Sequence, residues 1–68
     1  MKMSKEHMIQ TIMQTDYITN ILTDYTKYEN TSFAILVKQK TIVVIDKRNS
    51  TYVMYPNLKS AYEKLTIT

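Results

Sequence analysis

Acid–base and metal chemistry have few places to occur in this 68-residue sequence. The one imidazole is His7, at the start of a helical pattern, and there is no cysteine to pair with it. A metal site or a nucleophile–base pair needs several such groups together, so His7 reads as a helix-surface residue. The six carboxylates are Glu6, Asp16, Asp24, Glu29, Asp46 and Glu63. Asp16 and Asp24 are eight residues apart, and Asp46 and Glu63 fall in different elements. None of these spacings suggests general acid–base work. Serine and threonine are abundant, but glycine is absent. That removes the nucleophile elbow, the phosphate-cradling loop, the dinucleotide fingerprint and the EF-hand loop. The expectation is a protein that is not an enzyme, with no catalytic residue, cofactor, metal or small-molecule substrate.

The remaining chemistry is that of surfaces. Lys38 and Lys40 form one cationic pair, and Lys47 and Arg48 another, each in a polar turn near tyrosines. Phosphate contacts use Lys and Arg, and base stacking uses aromatics, so these four residues define a nucleic-acid-binding alternative. Successive turns of a meander lie at opposite ends of a sheet, roughly 15–20 Å apart at usual strand lengths. The two pairs therefore form no concentrated patch, and charged turns also serve to keep sheet edges soluble. Tyr17, Tyr25, Tyr28, Tyr52 and Tyr55 are the candidate protein-binding residues, since exposed tyrosine with arginine is typical of protein interfaces. The alternative for Tyr17, Tyr25 and Tyr28 is a buried helical stripe whose hydroxyls reach the rim. Met1, Met3, Met8, Met13 and Met54 add adaptable contacts.

Residues 33 to 55 must organise the chain. Phe33–Val37, Ile42–Ile45 and Tyr52–Tyr55 read as three short strands of an antiparallel meander. Ile42–Ile45 is apolar on both faces, as expected of a central strand. Asn49 is the expected left-handed residue of the second turn. Before the strands, Ser4 can cap a helix with Glu6 in its first turn. Met8, Ile9, Ile12 and Met13 follow at helical spacing, and then Tyr17, Ile18, Ile21, Leu22, Tyr25 and Tyr28. At about 100° per residue the two sets point about 150° apart. The segment therefore either breaks near Thr15-Asp16 into two helices or runs on with apolar surface on opposite sides. Its threonines weaken helix throughout, and residues 17–23 carry β-formers that make a strand the competitor. The polar row Asp16, Asn20 and Asp24 favours helix. After Pro56, Asn57 can cap a last helix with Leu58, Ala61, Tyr62 and Leu65 on one side. The expected fold is one α+β domain, a helix or helix pair, three strands and a helix, α(α)βββα.

So short a chain has marginal stability and usually leans on disulfides, metal or association. With the first two unsupported, a homodimer or an obligate partner is expected. The net charge is +3. Residues 1–30 hold three lysines against four acids, −1, and residues 31–68 hold six Lys/Arg against two acids, +4. No apolar run approaches the ~20 residues of a membrane span, and the N-terminus has no secretory core. The expected location is the cytoplasm, with no membrane contact. Three strands offer apolar side chains on both faces, so helices on one face would leave Ala34, Leu36 and their neighbours uncovered unless helices sandwich the sheet. Monomers seldom expose an apolar patch beyond a few hundred Å². At ~25 cal/mol per Å² that area is worth several kcal/mol.

The order α-β-β-β-α resembles the double-stranded-RNA-binding domain in topology. Where that family opens its last helix with a Gly-containing loop and a lysine-rich run, this chain has Tyr55-Pro-Asn-Leu-Lys-Ser-Ala61, so the function does not carry over. Thr41–Asp46, Tyr55–Tyr62 and Leu65–Thr68 are similar to the hairpin-plus-helix of nuclease-associated modular DNA-binding repeats, though the usual turn glycine is missing. A similar unit occurs in small proteins of phages from low-GC Gram-positive bacteria. The Lys/Ile/Thr/Asn/Tyr-rich composition and small size also resemble a phage or mobile-element product. Such proteins often inhibit a host enzyme or defence complex, anti-CRISPR proteins among them. The resemblance implies a host-cell protein or complex, such as a defence nuclease, as partner.

Overall fold

The computed structural model describes residues 4–66. Met1 and Met3, read above as adaptable contacts, and Ile67 and Thr68, at the end of the repeat-like stretch, lie outside them. Helix α1 spans Lys5–Met13. Ser4 caps it as expected, its hydroxyl accepting from the His7 N–H at 3.1 Å. The helix stops at Gln14, which turns left-handed (φ 71°) while its N–H donates to the Gln10 carbonyl. That left-handed residue at a helix end is the usual terminator.

The break expected near Thr15-Asp16 is there, but a second helix is not. Residues 18–29 form a hairpin, strands β1 (Ile18–Ile21) and β2 (Thr26–Glu29). Three strands follow, β3 (Phe33–Val37), β4 (Ile42–Asp46) and β5 (Thr51–Tyr55), and then helix α2 (Leu58–Thr66). The sheet has five strands in the order β1-β2-β3-β4-β5, all antiparallel. This corrects the three-stranded expectation and the α-β-β-β-α likeness with it. The physical reason is β-branching. Ile18, Thr19, Ile21 and Thr26 lose side-chain freedom in a helix and fit a pleated surface. Thr23 and Asp24 become a two-residue turn, closed by the Leu22 N–H on the Tyr25 carbonyl at 2.9 Å. Asp24 thus belongs to a turn and not to a helical polar row.

Two other turns are built from side chains. Asn30 Oδ1 accepts from the N–H groups of Ser32 and Phe33, both at 2.8 Å. Its Nδ2 donates to the Met13 carbonyl at 3.0 Å and to Thr15 Oγ1 at 3.1 Å. One side chain therefore sets the β2–β3 turn and ties it to the end of α1. In the β4–β5 turn, Asp46 accepts from the Arg48 N–H and from Asn49 Nδ2. The left-handed residue there is Ser50 (φ 56°), one place beyond the expected Asn49, whose side chain is instead bonded to Asp46. A serine at that angle carries Cβ strain that glycine lacks. Replacing Ser50 by Gly is expected to stabilise the fold by about 0.5–1 kcal/mol. A thermal melt would show this as a midpoint a few degrees higher.

Asn57 caps α2, its side chain accepting from the Ser60 N–H at 2.8 Å. The two helices pack against each other and onto β3, β4 and β5. The core joins Ile9, Ile12 and Met13 of α1 to Phe33, Ile35, Ile42 and Val44 of the sheet and Ala61 of α2. These strand residues alternate along β3 and β4 and so share one face. Both helices cover that face.

Candidate interaction surface

The alternate residues of the same strands point away from the helices. In register, Ala34 lies opposite Ile45, and Leu36 opposite Val43. Val43 in turn faces Met54, and Ile45 faces Tyr52. These six side chains form a contiguous apolar block across β3, β4 and β5. None belongs to the core cluster on the helix side. Tyr52 is 66% exposed and Met54 64%, and Leu36 and Ile45 are half-buried. Ala34 and Val43 are buried because they are short side chains between longer cross-strand neighbours. Among the described residues, no element roofs this face.

The block has a polar margin on β2, where Lys27 stands opposite Leu36 and Glu29 opposite Ala34. Glu29 accepts from Lys47 Nζ at 2.6 Å and pairs with Lys27 at 3.4 Å. The Lys47 hydrogen bond, aided by the Lys27 charge, holds the Glu29 carboxyl below its ordinary range. Lys47 Nζ also donates to the Asn30 carbonyl at 3.0 Å. Beyond β2, β1 contributes Ile18, 69% exposed, and Asn20. An apolar centre with a polar rim is the usual anatomy of a protein interface.

The basic turn residues are distributed differently. Arg48 donates to Asp46 and lies over the Phe33 ring, 4.7 Å from its centroid. The Arg48 hydrogen bond keeps the Asp46 carboxyl below its ordinary range. Lys47 and Arg48 are thus both engaged within the chain. Lys38 lies 5.9 Å from the Tyr25 ring centroid, and Lys40 is exposed. The two turns sit at opposite ends of β4, so the four cations are not gathered into one patch.

The five tyrosines are not gathered either. Tyr17, Tyr28 and Tyr55 pack around the core, with Tyr17 edge-on to Tyr28 at 5.8 Å. Tyr25 is half-buried beneath Lys38. Tyr52 alone of the five stands in the apolar block. Of its neighbours, Met54 is one of the expected adaptable contacts and Leu36 falls in the surplus apolar set expected of β3, while Val43 and Ile45 are not among the expected contact residues. His7 is exposed on α1, its N–H bonded to Ser4 and its carbonyl accepting from Thr11.

Two shallow clefts of about 160 and 140 Å³ flank Phe33 and Asp46. Both are smaller than ordinary ligand pockets. Among the described residues, no group of three His, Cys, Asp or Glu side chains could hold a metal ion. No described helix is long and apolar enough to cross a membrane. Comparison with protein-family models, curated proteins and solved structures finds no match to this chain.

Proposed function

We propose that this protein is a non-enzymatic interaction module that binds another protein through the helix-free face of its sheet. The supporting observation is the contiguous block of Leu36, Val43, Ile45, Tyr52 and Met54, bordered by the Lys27–Glu29 pair. Such a block suits a partner with an apolar patch and a neutral or mixed rim. The narrower reading, inhibition of a host complex such as a defence nuclease, is supported by composition and size.

Photo-crosslinking residues placed at Leu36 and Ile45, with a control at exposed Glu63 on α2, test the reading in the cell that carries the gene. The expected product is one protein linked from 36 and 45 but not from 63. With that protein purified, changing Leu36 and Ile45 together to Lys should weaken binding by about a hundredfold or more, as expected of truncated anchors replaced by charge, while circular dichroism stays unchanged. Equal linking from position 63, or a nucleic acid as the linked species, overturns the reading. The second outcome would restore Lys38 and Lys40 as the residues to change.

A further inference from the structure

The outer edge of β5 points to a specific partner, a second copy of this chain. Hydrogen-bonded and non-bonded pairs alternate along an antiparallel ladder. The Lys38 N–H donates to the Thr41 carbonyl and the Lys47 N–H to the Ser32 carbonyl. Counting in twos from these bonds, Val43 and Ile45 turn their backbone groups to β3, and Ile42, Val44 and Asp46 turn theirs to β5. Their β5 partners are Tyr55, Val53 and Thr51, which therefore bond inward. The N–H and C=O groups of Tyr52 and Met54 point outward, beyond the last strand of the sheet.

An edge of this kind is usually protected by charge, proline or a bulge. Within Thr51–Tyr55 there is no charged residue and no proline, and the register to β4 runs unbroken. Two outward residues separated by one inward residue fit a two-fold axis through Val53. Tyr52 then pairs with Met54 of the second copy, and Met54 with its Tyr52. Each pair exchanges both backbone bonds, and Val53 meets its own symmetry mate. The register that instead pairs Met54 with its own mate sets Tyr52 against Pro56, which has no N–H to give.

We infer that the protein forms a two-fold dimer by antiparallel β5–β5 pairing centred on Val53, giving a continuous ten-stranded sheet. A two-fold axis normal to the sheet leaves both helix-free faces on the same side. The two apolar blocks then join across the new seam, with Tyr52 beside the mate's Met54 in a favourable sulfur–aromatic contact. The other edge fits less well. On β1 the Lys27–Glu29 pair separates the strand from the apolar block, and Asp16 lies close before it. The inference rests on the proposed interaction surface and assigns it a doubled form.

Val53 is half-exposed at the edge, so charge there leaves the core intact. Val53→Lys and Val53→Glu are each expected to be monomeric by sedimentation, with the dimer dissociation constant raised by about tenfold or more through like-charge opposition. An equimolar mixture of the two should form the heterodimer. Thr19→Lys on the β1 edge should leave the dimer unchanged. The Tyr52 and Met54 amides should exchange slowly in the unaltered protein and rapidly in Val53→Lys. A monomeric unaltered protein at high concentration, a dimer that survives Val53→Lys, or a mixture that fails to pair overturns the inference. Partner crosslinking from positions 36 and 45 that persists in Val53→Lys would show that the docking face stands while the dimer falls.

Discussion

Ile35→Ala is expected to cost about 3–4 kcal/mol, and Leu36→Ala about 1 kcal/mol or less. The two residues are adjacent in β3 and similar in size. Ile35 is fully buried under the helices, between Tyr28 and Val44 in the strand register. Its truncation opens a cavity that its neighbours cannot fill. Leu36 faces the other way, is already half in water, and leaves no enclosed void. A domain of this size has a total stability of only about 3–10 kcal/mol at ordinary values per residue. Ile35→Ala should therefore leave much of the population unfolded at physiological temperature, while Leu36→Ala should melt almost normally. Urea titrations of the purified variants give both numbers. Equal losses would mean that the second face is covered as well, and the interaction surface would lose its foundation.

That contrast also marks how much of the fold could be read from residues alone. The strands from Phe33 to Tyr55, the caps Ser4 and Asn57, and the α2 stripe were legible because each rests on a local rule: alternation, a polar side chain at a helix start, and i, i+3, i+4 spacing. The uncovered apolar face was legible as one of two alternatives, since Ala34 and Leu36 alternate with Phe33, Ile35 and Val37 but helices on both sides could have covered them. The stretch from Tyr17 to Tyr28 was ambiguous because Tyr17, Ile18, Ile21, Leu22, Tyr25 and Tyr28 match a helical stripe, whereas the same residues in a hairpin are split between two strands and two faces. β-branching leans the segment toward strand, and contacts outside the segment complete the choice. The Tyr28 side chain gains a place beside Ile35 and the Tyr17 ring, and the Asn30 amide reaches back to α1. The Asn30 contacts span 17 and 15 residues and cannot be seen in a window of a dozen. Tyr17 and Tyr28 lie against the core for the same reason, because their segment is a hairpin and not a helix.

The surface reading and the chain's small size bear on one another. Among the described residues, eight buried side chains form the core of a chain that exposes 5141 Å², and stability rests on a single helix-covered layer. Apolar residues on the opposite face add little to an isolated molecule, yet they are there in register across three strands. Covering them with a partner returns burial free energy at about 25 cal/mol per Å². On the proposed function, binding and folding are linked, and a ligand of the open face should raise the melting temperature as it occupies the site.

Asn30→Ala should be the most damaging polar substitution, at about 2–3 kcal/mol. Four hydrogen bonds meet at this side chain: two accepted from the Ser32 and Phe33 N–H groups, and two donated to the Met13 carbonyl and the Thr15 hydroxyl. Alanine leaves the turn amides and the last carbonyl of α1 without these partners in a half-buried place. Asn30→Asp separates the two functions, because a carboxylate keeps both acceptor bonds and loses both donor bonds. Its cost should be about 1–2 kcal/mol, roughly half that of alanine. Amide exchange resolves the difference by location. Alanine should expose the Ser32 and Phe33 amides, while aspartate should protect them and loosen only the join between α1 and the hairpin. If Asn30→Ala proved as stable as the unaltered protein, strand pairing alone would be holding residues 18–29 in the sheet, and the link through Met13 would be incidental to the fold.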